Sequence, residues 1–257
     1  MNVTVCELPD SWTRDDEWWN RLVDHLKSES SDLLVLPEMP FYQWLTKSDK
    51  VDPALWKKAV DAHGCWIQRL YELPVENVIA SRPTFENGRA LNNGFIFTKT
   101  CGLIPVHDKF YLPDEAGYWE ATWYERGDGM FNVATVDNIN IGFLICTELW
   151  FTQRAREYLA QDIDILVCPR ATPLSEVDIW VTGGRSAAIV SGAFCLSSNF
   201  QGPNTPTEDF GGTGWIIEPE RGDVLGSTIK GCEFLTLDID LNNAKKAKAS
   251  YPRYVKE

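Results

Sequence analysis

The sequence predicts one α/β domain whose core is a pair of β-sheets with helices over both outer faces. Three observations carry this expectation. Strand-like and helix-like segments alternate over most of the 257 residues. Several strands, residues 32–36 and 163–168 above all, are almost wholly apolar, as in strands covered on both faces. Hydrophobic residues make up 44% of the chain and aromatics 12%, enough to fill a core of that size. No Gly/Ser linker or internal repeat divides the chain, so a single domain is expected over residues 1–257.

Residues 2–6 read as a strand and 15–28 as an amphipathic helix. A buried strand follows at 32–36, a helix at 53–71 and a further strand at 77–80. Residues 92–98 and 102–106 are strands separated by a short turn, which predicts a hairpin and therefore a mixed sheet. Residues 108–129 are crowded with aromatics, glycines and carboxylates but lack a clear period, and long irregular segments in compact domains commonly carry function. Beyond them, 130–135 and 140–145 pair around Asp137-Asn138, 151–161 form a helix, and 163–168 a strand. Residues 176–193 are helical despite Gly183-Gly184, and 194–198 are extended. Strands at 213–218, 224–227 and 233–238 and a short helix at 242–248 complete the order.

Lys and Arg number 24 against 37 Asp and Glu, a formal charge of -13 that disfavours nucleic acid or an anionic membrane surface as partner. No segment approaches the ~18 uninterrupted apolar residues of a membrane span, and no basic region leads into an apolar stretch at the N-terminus. A cytoplasmic protein without a membrane partner is expected. The seven cysteines are dispersed with no CxxC pair, and His25, His63 and His107 lie far apart. Neither a disulfide framework, a metal nor another cofactor is expected.

The segment Gly142-Phe-Leu-Ile-Cys146-Thr-Glu-Leu-Trp150 ends an apolar run on a cysteine and continues into polar, helix-like sequence. Unpaired N–H groups at a helix start favour a thiolate and an oxyanion, which suits Cys146 to nucleophilic chemistry. Inert packing of the thiol fits the same position. In Asp32-Leu-Leu-Val-Leu-Pro37-Glu38, Glu38 stands just past an apolar strand, where an α/β sheet presents catalytic groups. It is a candidate general base there, or a solvated turn residue. Lys109, after Pro105-Val-His-Asp, also ends a strand and offers a compact positive charge to an oxyanion.

Taken in order, the strands ending in Pro-Glu38, in His-Asp-Lys109 and in Cys146-Thr-Glu resemble the nitrilase, or carbon–nitrogen hydrolase, superfamily. Arg185 in Gly-Gly-Arg-Ser-Ala-Ala, Ser198-Asn199, and Phe210-Gly-Gly-Thr-Gly-Trp-Ile-Ile-Glu-Pro219 followed by Gly222-Asp-Val-Leu match later landmarks, so the resemblance spans nearly the whole chain. It implies a four-layer αββα sandwich with two mixed sheets. It also implies a triad of Glu38 as general base, Lys109 as oxyanion stabiliser and Cys146 as nucleophile, with the Thr147 N–H sharing the oxyanion. The interval from Lys109 to Glu120 and Gly127-Asp128 looks like the N-carbamoylputrescine and N-carbamoyl amino acid amidohydrolase branch. That assigns Glu120, rather than Glu115 or Glu125, to positioning Lys109 and the substrate.

Departures from the branch bear on substrate. Thr147-Glu148-Leu149-Trp150 differs from the Trp-Glu of true nitrilases and lacks the arginine with which carbamoyl amino acid hydrolases hold a carboxylate. Arg170, in Cys168-Pro-Arg-Ala-Thr-Pro, stands where many relatives carry a small polar residue; it either clamps an anionic substrate group or pairs with an acidic side chain. Trp150 is expected as a pocket wall, and Phe41, Tyr42, Tyr111, Trp119 and Trp123 lie near the candidates in sequence. The implied activity is cofactor-free hydrolysis of a small amide or carbamoyl C–N bond, by a homodimer or larger assembly. The alternatives are a nitrile substrate, a non-catalytic binding module on the same fold, and a papain-type protease with His107 as base.

Overall fold

The computed structural model describes residues 1–205 and 208–255. The domain expected over 1–257 also takes in residues 206–207 and 256–257, which lie outside the described residues. The first half comprises β1 (Asn2–Pro9), α1 (Glu17–Glu29), β2 (Leu33–Val35), α2 (Pro53–Arg69), β3 (Asn77–Glu86), β4 (Arg89–Thr98) and β5 (Gly102–Asp108). Next come α3 (Glu120–Trp123), β6 (Ala134–Val136), β7 (Ile139–Phe143), α4 (Thr152–Ala160), β8 (Ile165–Pro169) and α5 (Val177–Ser191). The chain continues through β9 (Phe194–Thr205), β10 (Glu208–Gly211), β11 (Trp215–Ile217), β12 (Val224–Ser227), β13 (Phe234–Asp238) and α6 (Asn242–Lys248).

One sheet runs β5-β4-β3-β2-β1-β13 and the other β6-β7-β8-β9-β11-β12. Both are mixed. β1, β2 and β3 are parallel, as are β7, β8 and β9, and the flanking pairs are antiparallel. The sheets join where the ends of β1 and β9 pair in parallel, with Glu7 opposite Asn199 and Leu8 opposite Phe200.

The period-two alternation of side chains along a strand generates the layers. In β2, Leu33 and Val35 belong to the core between the sheets, with Val5, Ile79, Phe143, Val167 and Leu196. Leu34 and the following Leu36 belong to an outer core with Leu22 and Leu26 of α1 and Ile67 of α2. β8 divides likewise: Ile165 and Val167 go to the central core, Leu166 and Cys168 to an outer one with Tyr158 of α4 and Ala187 and Ala188 of α5. Helices, sheet, sheet and helices therefore stack as the αββα sandwich that the resemblance implied.

Several strands depart from the sequence expectation. β3 runs to Glu86 instead of stopping at 80, because Asn87 and Gly88 both take positive φ (53° and 80°) and close a two-residue hairpin onto β4. Asp137 and Asn138 form the same kind of turn (φ 52° and 62°), but β6 occupies 134–136 rather than 130–135. β9 extends past 198 to Thr205 and pairs with β10, a strand absent from the expected set.

The irregular stretch 108–129 contains only the four-residue α3. Tryptophans anchor it to the loop after Glu38: Trp44 Nε1 donates to Gly117 O at 2.9 Å and Trp123 Nε1 to Ser48 O at 2.5 Å. The Trp119 N–H adds a bond to Thr46 O at 2.8 Å. Among the described residues, no helix is long and apolar enough to cross a membrane.

Candidate active site

Glu38, Lys109 and Cys146 follow the carboxyl ends of β2, β5 and β7, and α3 supplies Glu120. Lys109 Nζ lies 2.8 Å from Glu38 Oε1 and 2.6 Å from Glu120 Oε2, with all three side chains withdrawn from solvent. Asn92 on β4 donates Nδ2–H to the same Glu38 oxygen at 2.7 Å. Tyr124, one turn after Glu120, donates its hydroxyl to Glu120 Oε2. Asn92 and Tyr124 are missing from the sequence-based set. Their only local signals are a polar residue in a strand that turns apolar and an i,i+4 spacing. Among the described residues, Glu38 Oε2 and Glu120 Oε1 are buried oxygens without a hydrogen-bond partner.

Backbone contacts fix where the lysine begins. Lys109 N donates to Asn92 O at 2.9 Å, and Gly127 N to Lys109 O at 3.0 Å. A Cβ on Gly127 would stand 2.2 Å from Asp108 O, so only glycine lets the chain return this closely beside Lys109.

Cys146 stands at a sharp bend. Its φ of 49° is a left-handed value that costs a non-glycine residue ~1–3 kcal/mol and marks over-determined sites. The bend opens a 3-10 turn over Cys146–Trp150 rather than an α-helix, so the dipole behind the thiol is short. Among the described residues, the Thr147 N–H takes part in no hydrogen bond and is available to an oxyanion. Sγ itself lies 3.8 Å from Ala171 O.

Glu148 ties this bend to the lysine strand. Its Oε2 accepts from Ile145 N at 2.9 Å, its Oε1 from Phe110 N at 2.7 Å, and His107 Nε2 lies 2.8 Å from Oε2. Residues on either side of Lys109 and of Cys146 thus share one buried carboxylate. His107 Nδ1 faces Met130 O at 3.3 Å, so both ring nitrogens meet acceptors and the imidazolium satisfies both. His107 is therefore committed to Glu148 and does not serve Cys146 as a papain-type base.

Electrostatics describe the resting state. Burial alone would push the Lys109 ammonium down, but Glu120 and Glu38 together outweigh it and hold it above its usual range. Burial pushes the Cys146 thiol up; Glu38 adds to this and Lys109 only partly opposes it, so the resting group is the thiol. Burial likewise raises Glu120, to about 7, against the pull of Lys109. For His107, burial is outweighed by Glu148 and the imidazole is raised.

A cavity of about 180 Å³ opens over Cys146, Thr147 and Glu120, walled by Tyr118, Ala171, Thr172, Pro173 and Trp180. It is smaller than the ~300–1,000 Å³ of drug-sized pockets and suits a small substrate. Two expected substrate contacts lie elsewhere. Arg170 is 1% exposed; its guanidinium donates to Ser197 Oγ, Thr172 Oγ1 and Thr213 O, each at 2.7 Å, and stacks 3.8 Å over Trp215. Among the described residues it neither lines the cavity nor pairs with a carboxylate, and burial lowers it to about 10. Trp150 is 40% exposed and packs on Trp180 at 5.2 Å, behind the wall instead of in it. Glu115 stands at the exposed side of the cavity, and Glu125 is at the surface with Arg89 at 2.9 Å. Among the described residues, no three His, Cys, Asp or Glu side chains are grouped to hold a metal.

The family model for carbon-nitrogen hydrolases matches residues 2–249. The chain belongs to the carbon–nitrogen hydrolase family. It is 25% identical to the "Hydrolase in agr operon" of Staphylococcus aureus, over 98% of this chain and 96% of that one. It is 28% identical to N-carbamoylputrescine amidase of Arabidopsis thaliana, over 90% of this chain and 83% of the relative. Among solved structures, a carbon–nitrogen hydrolase from Helicobacter pylori G27 superposes with a TM-score of 0.84 at 20% identity, covering 98% of this chain and 94% of that one. An amidase from Nesterenkonia sp. AN1, with acrylamide added at its active site cysteine, gives 0.74 at 16% identity, covering 97% of each chain. This carbon–nitrogen hydrolase is thus similar to amidases throughout its length.

Proposed function

We propose that this carbon–nitrogen hydrolase cleaves a small amide or carbamoyl C–N bond through a thioester on Cys146. The observation that carries the reading is a buried ammonium, Lys109, held between Glu38 and Glu120, the latter lining a cavity together with Cys146. Because the resting sulfur is a thiol, a base must act as substrate arrives; the unpartnered Glu38 Oε2 accepts that proton while sulfur attacks the carbonyl carbon. The oxyanion is held by Lys109 and the Thr147 N–H. Collapse returns the proton from Glu38 to the leaving nitrogen and expels ammonia. Water then gives a proton to Glu38 and attacks the thioester; the C–S bond breaks, the departing sulfur takes that proton back as the Cys146 thiol, and the acid is released, or from a carbamoyl substrate a carbamic acid that loses carbon dioxide. Glu120, with Oε1 unpartnered at the cavity wall, accepts a substrate N–H while Oε2 holds Lys109.

The reading includes a cytoplasmic homodimer or larger assembly, for which sedimentation of the purified chain is the check. The chemical test is ammonia release from amide, carbamoyl and nitrile substrates of one carbon skeleton. Amide and carbamoyl compounds are expected to react; acid formed from the nitrile alone would overturn the order, and none from any would favour a binding module.

A further inference from the structure

We propose that Arg170 is a positioning residue, whose guanidinium fixes the segment against which Glu38 and Cys146 are both aligned, an inference that rests on the hydrolase reading above. Residues 170–172 follow β8 and touch each part of the site in turn. Arg170 O accepts from Glu38 N at 3.2 Å. Ala171 O accepts from the Cys146 thiol at 3.8 Å. Ala171 and Thr172 themselves wall the cavity. Base and nucleophile follow strands of different sheets, β2 and β7, so a shift of this one segment changes the gap between them.

The strand has ended at Pro169, and the guanidinium takes over as the restraint. Nε donates to Ser197 Oγ on β9, Nη1 to Thr172 Oγ1 and Nη2 to Thr213 O, each at 2.7 Å, with Cζ 3.8 Å from the centre of the Trp215 ring. One planar fork meets acceptors on three separate stretches of chain, a geometry that an ammonium does not reproduce. Each acceptor is braced in turn. Ser197 Oγ donates to Cys168 O, and Cys168 Sγ to Cys146 O at 3.9 Å. Asn199 grips Thr172 twice, its Oδ1 accepting from Thr172 N at 2.9 Å and its Nδ2 donating to Oγ1 at 3.0 Å. Thr213, at a φ of 60°, is pinned from its other side by the buried Glu7, whose Oε2 accepts from Thr213 N at 2.7 Å. Filling this space needs no charge, since an apolar side chain of similar volume would avoid the desolvation cost of a buried guanidinium. What an apolar chain does not supply is the restraint on Thr172 and Thr213.

The test measures kcat, KM and urea unfolding for Arg170→Lys, Thr172→Val and Thr172→Ser, with whichever amide or carbamoyl compound of the assay above releases ammonia fastest. Rates are taken per folded molecule, counted by near-UV circular dichroism. Arg170→Lys keeps the charge and loses the fork, and its kcat is expected to fall by about 10²-fold with KM little changed. Thr172→Val, isosteric but without the acceptor, is expected to lose about ten-fold in kcat, and Thr172→Ser, which restores the hydroxyl, to return close to wild type. Should Arg170→Lys fail to fold, the contrast between valine and serine decides alone. Unchanged kcat in the folded variants, a loss confined to KM, or equal losses in Thr172→Val and Thr172→Ser would overturn the proposal and leave the hydrolase reading standing. Absence of ammonia from every amide and carbamoyl compound with the wild-type enzyme would instead remove the hydrolase reading, and this one with it.

Discussion

Glu120 and Cys146 line the floor of the cavity with Lys109 and Glu38 behind them, and all but the 3% exposed Cys146 are shut off from solvent, whereas Glu115 and Glu176 at its mouth stand in water. Coulombic interaction in a low-dielectric interior is several times stronger than at a surface, so the same carboxylate chemistry has different consequences in the two places. On the floor each charge exists because its partner does. Removing one leaves another stranded, and both folding and turnover suffer. At the exposed side a carboxylate is solvated, and its removal is expected to cost little stability.

The sharpest way to break this comparison is Lys109→Met. It strands Glu38 and Glu120, and the expected result is a ~10³-fold fall in kcat/KM, with unfolding in urea showing a loss of about 3–5 kcal/mol. A loss of turnover at full stability would show that Lys109 is not the counter-charge of the floor.

His107→Gln probes the clamp that joins the lysine strand to the cysteine bend. His107 is raised above its unfolded value of ~6.5, so the stability it contributes is fully present below that pH and is lost as pH rises through the higher folded value. The wild-type unfolding free energy should therefore decline across that interval, and the variant should decline less. Parallel pH curves would mean that Glu148 holds a neutral ring. Tyr124→Phe should have the smallest effect on the floor, about 1 kcal/mol of stability and a few-fold in kcat, because Lys109 still holds Glu120. A hundred-fold loss would make the tyrosine proton part of the chemistry.

What was legible in the sequence follows the same division. Glu38, Lys109 and Cys146 stand immediately after apolar strands, and their order along the chain is itself a signal. Asn92 and Glu148 join the site through bonds spanning 54 and 41 residues, and no local pattern announces such contacts. Arg170 illustrates the opposite error. A lone arginine beside a strand end looks available, but its stacking partner Trp215 comes from β11 and its hydrogen bonds from β9 and the Thr213 turn. Trp150 lies on Gly183, where an added Cβ would come within 3.1 Å of its ring, and Trp180 lines the cavity in its place. The two-sheet core with helices on both faces was readable from the alternation of strand-like and helix-like segments, and the four-layer sandwich from the family resemblance. The β3–β4 hairpin was missed although Asn87-Gly88 marks it, since Arg82 and Pro83 interrupt the apolar pattern before the turn.

The claim on which all of this depends is that the Cys146 sulfur becomes acylated. Intact-mass and peptide mass spectrometry of the wild-type enzyme, quenched in acid during turnover of a slow amide, measures it directly. The account predicts an acyl increment on the peptide that contains Cys146, absent in Cys146→Ala, whose amide hydrolysis falls by about 10⁴-fold or more. An increment on another cysteine, or a Cys146→Ala protein that still releases ammonia at the wild-type rate, would contradict it.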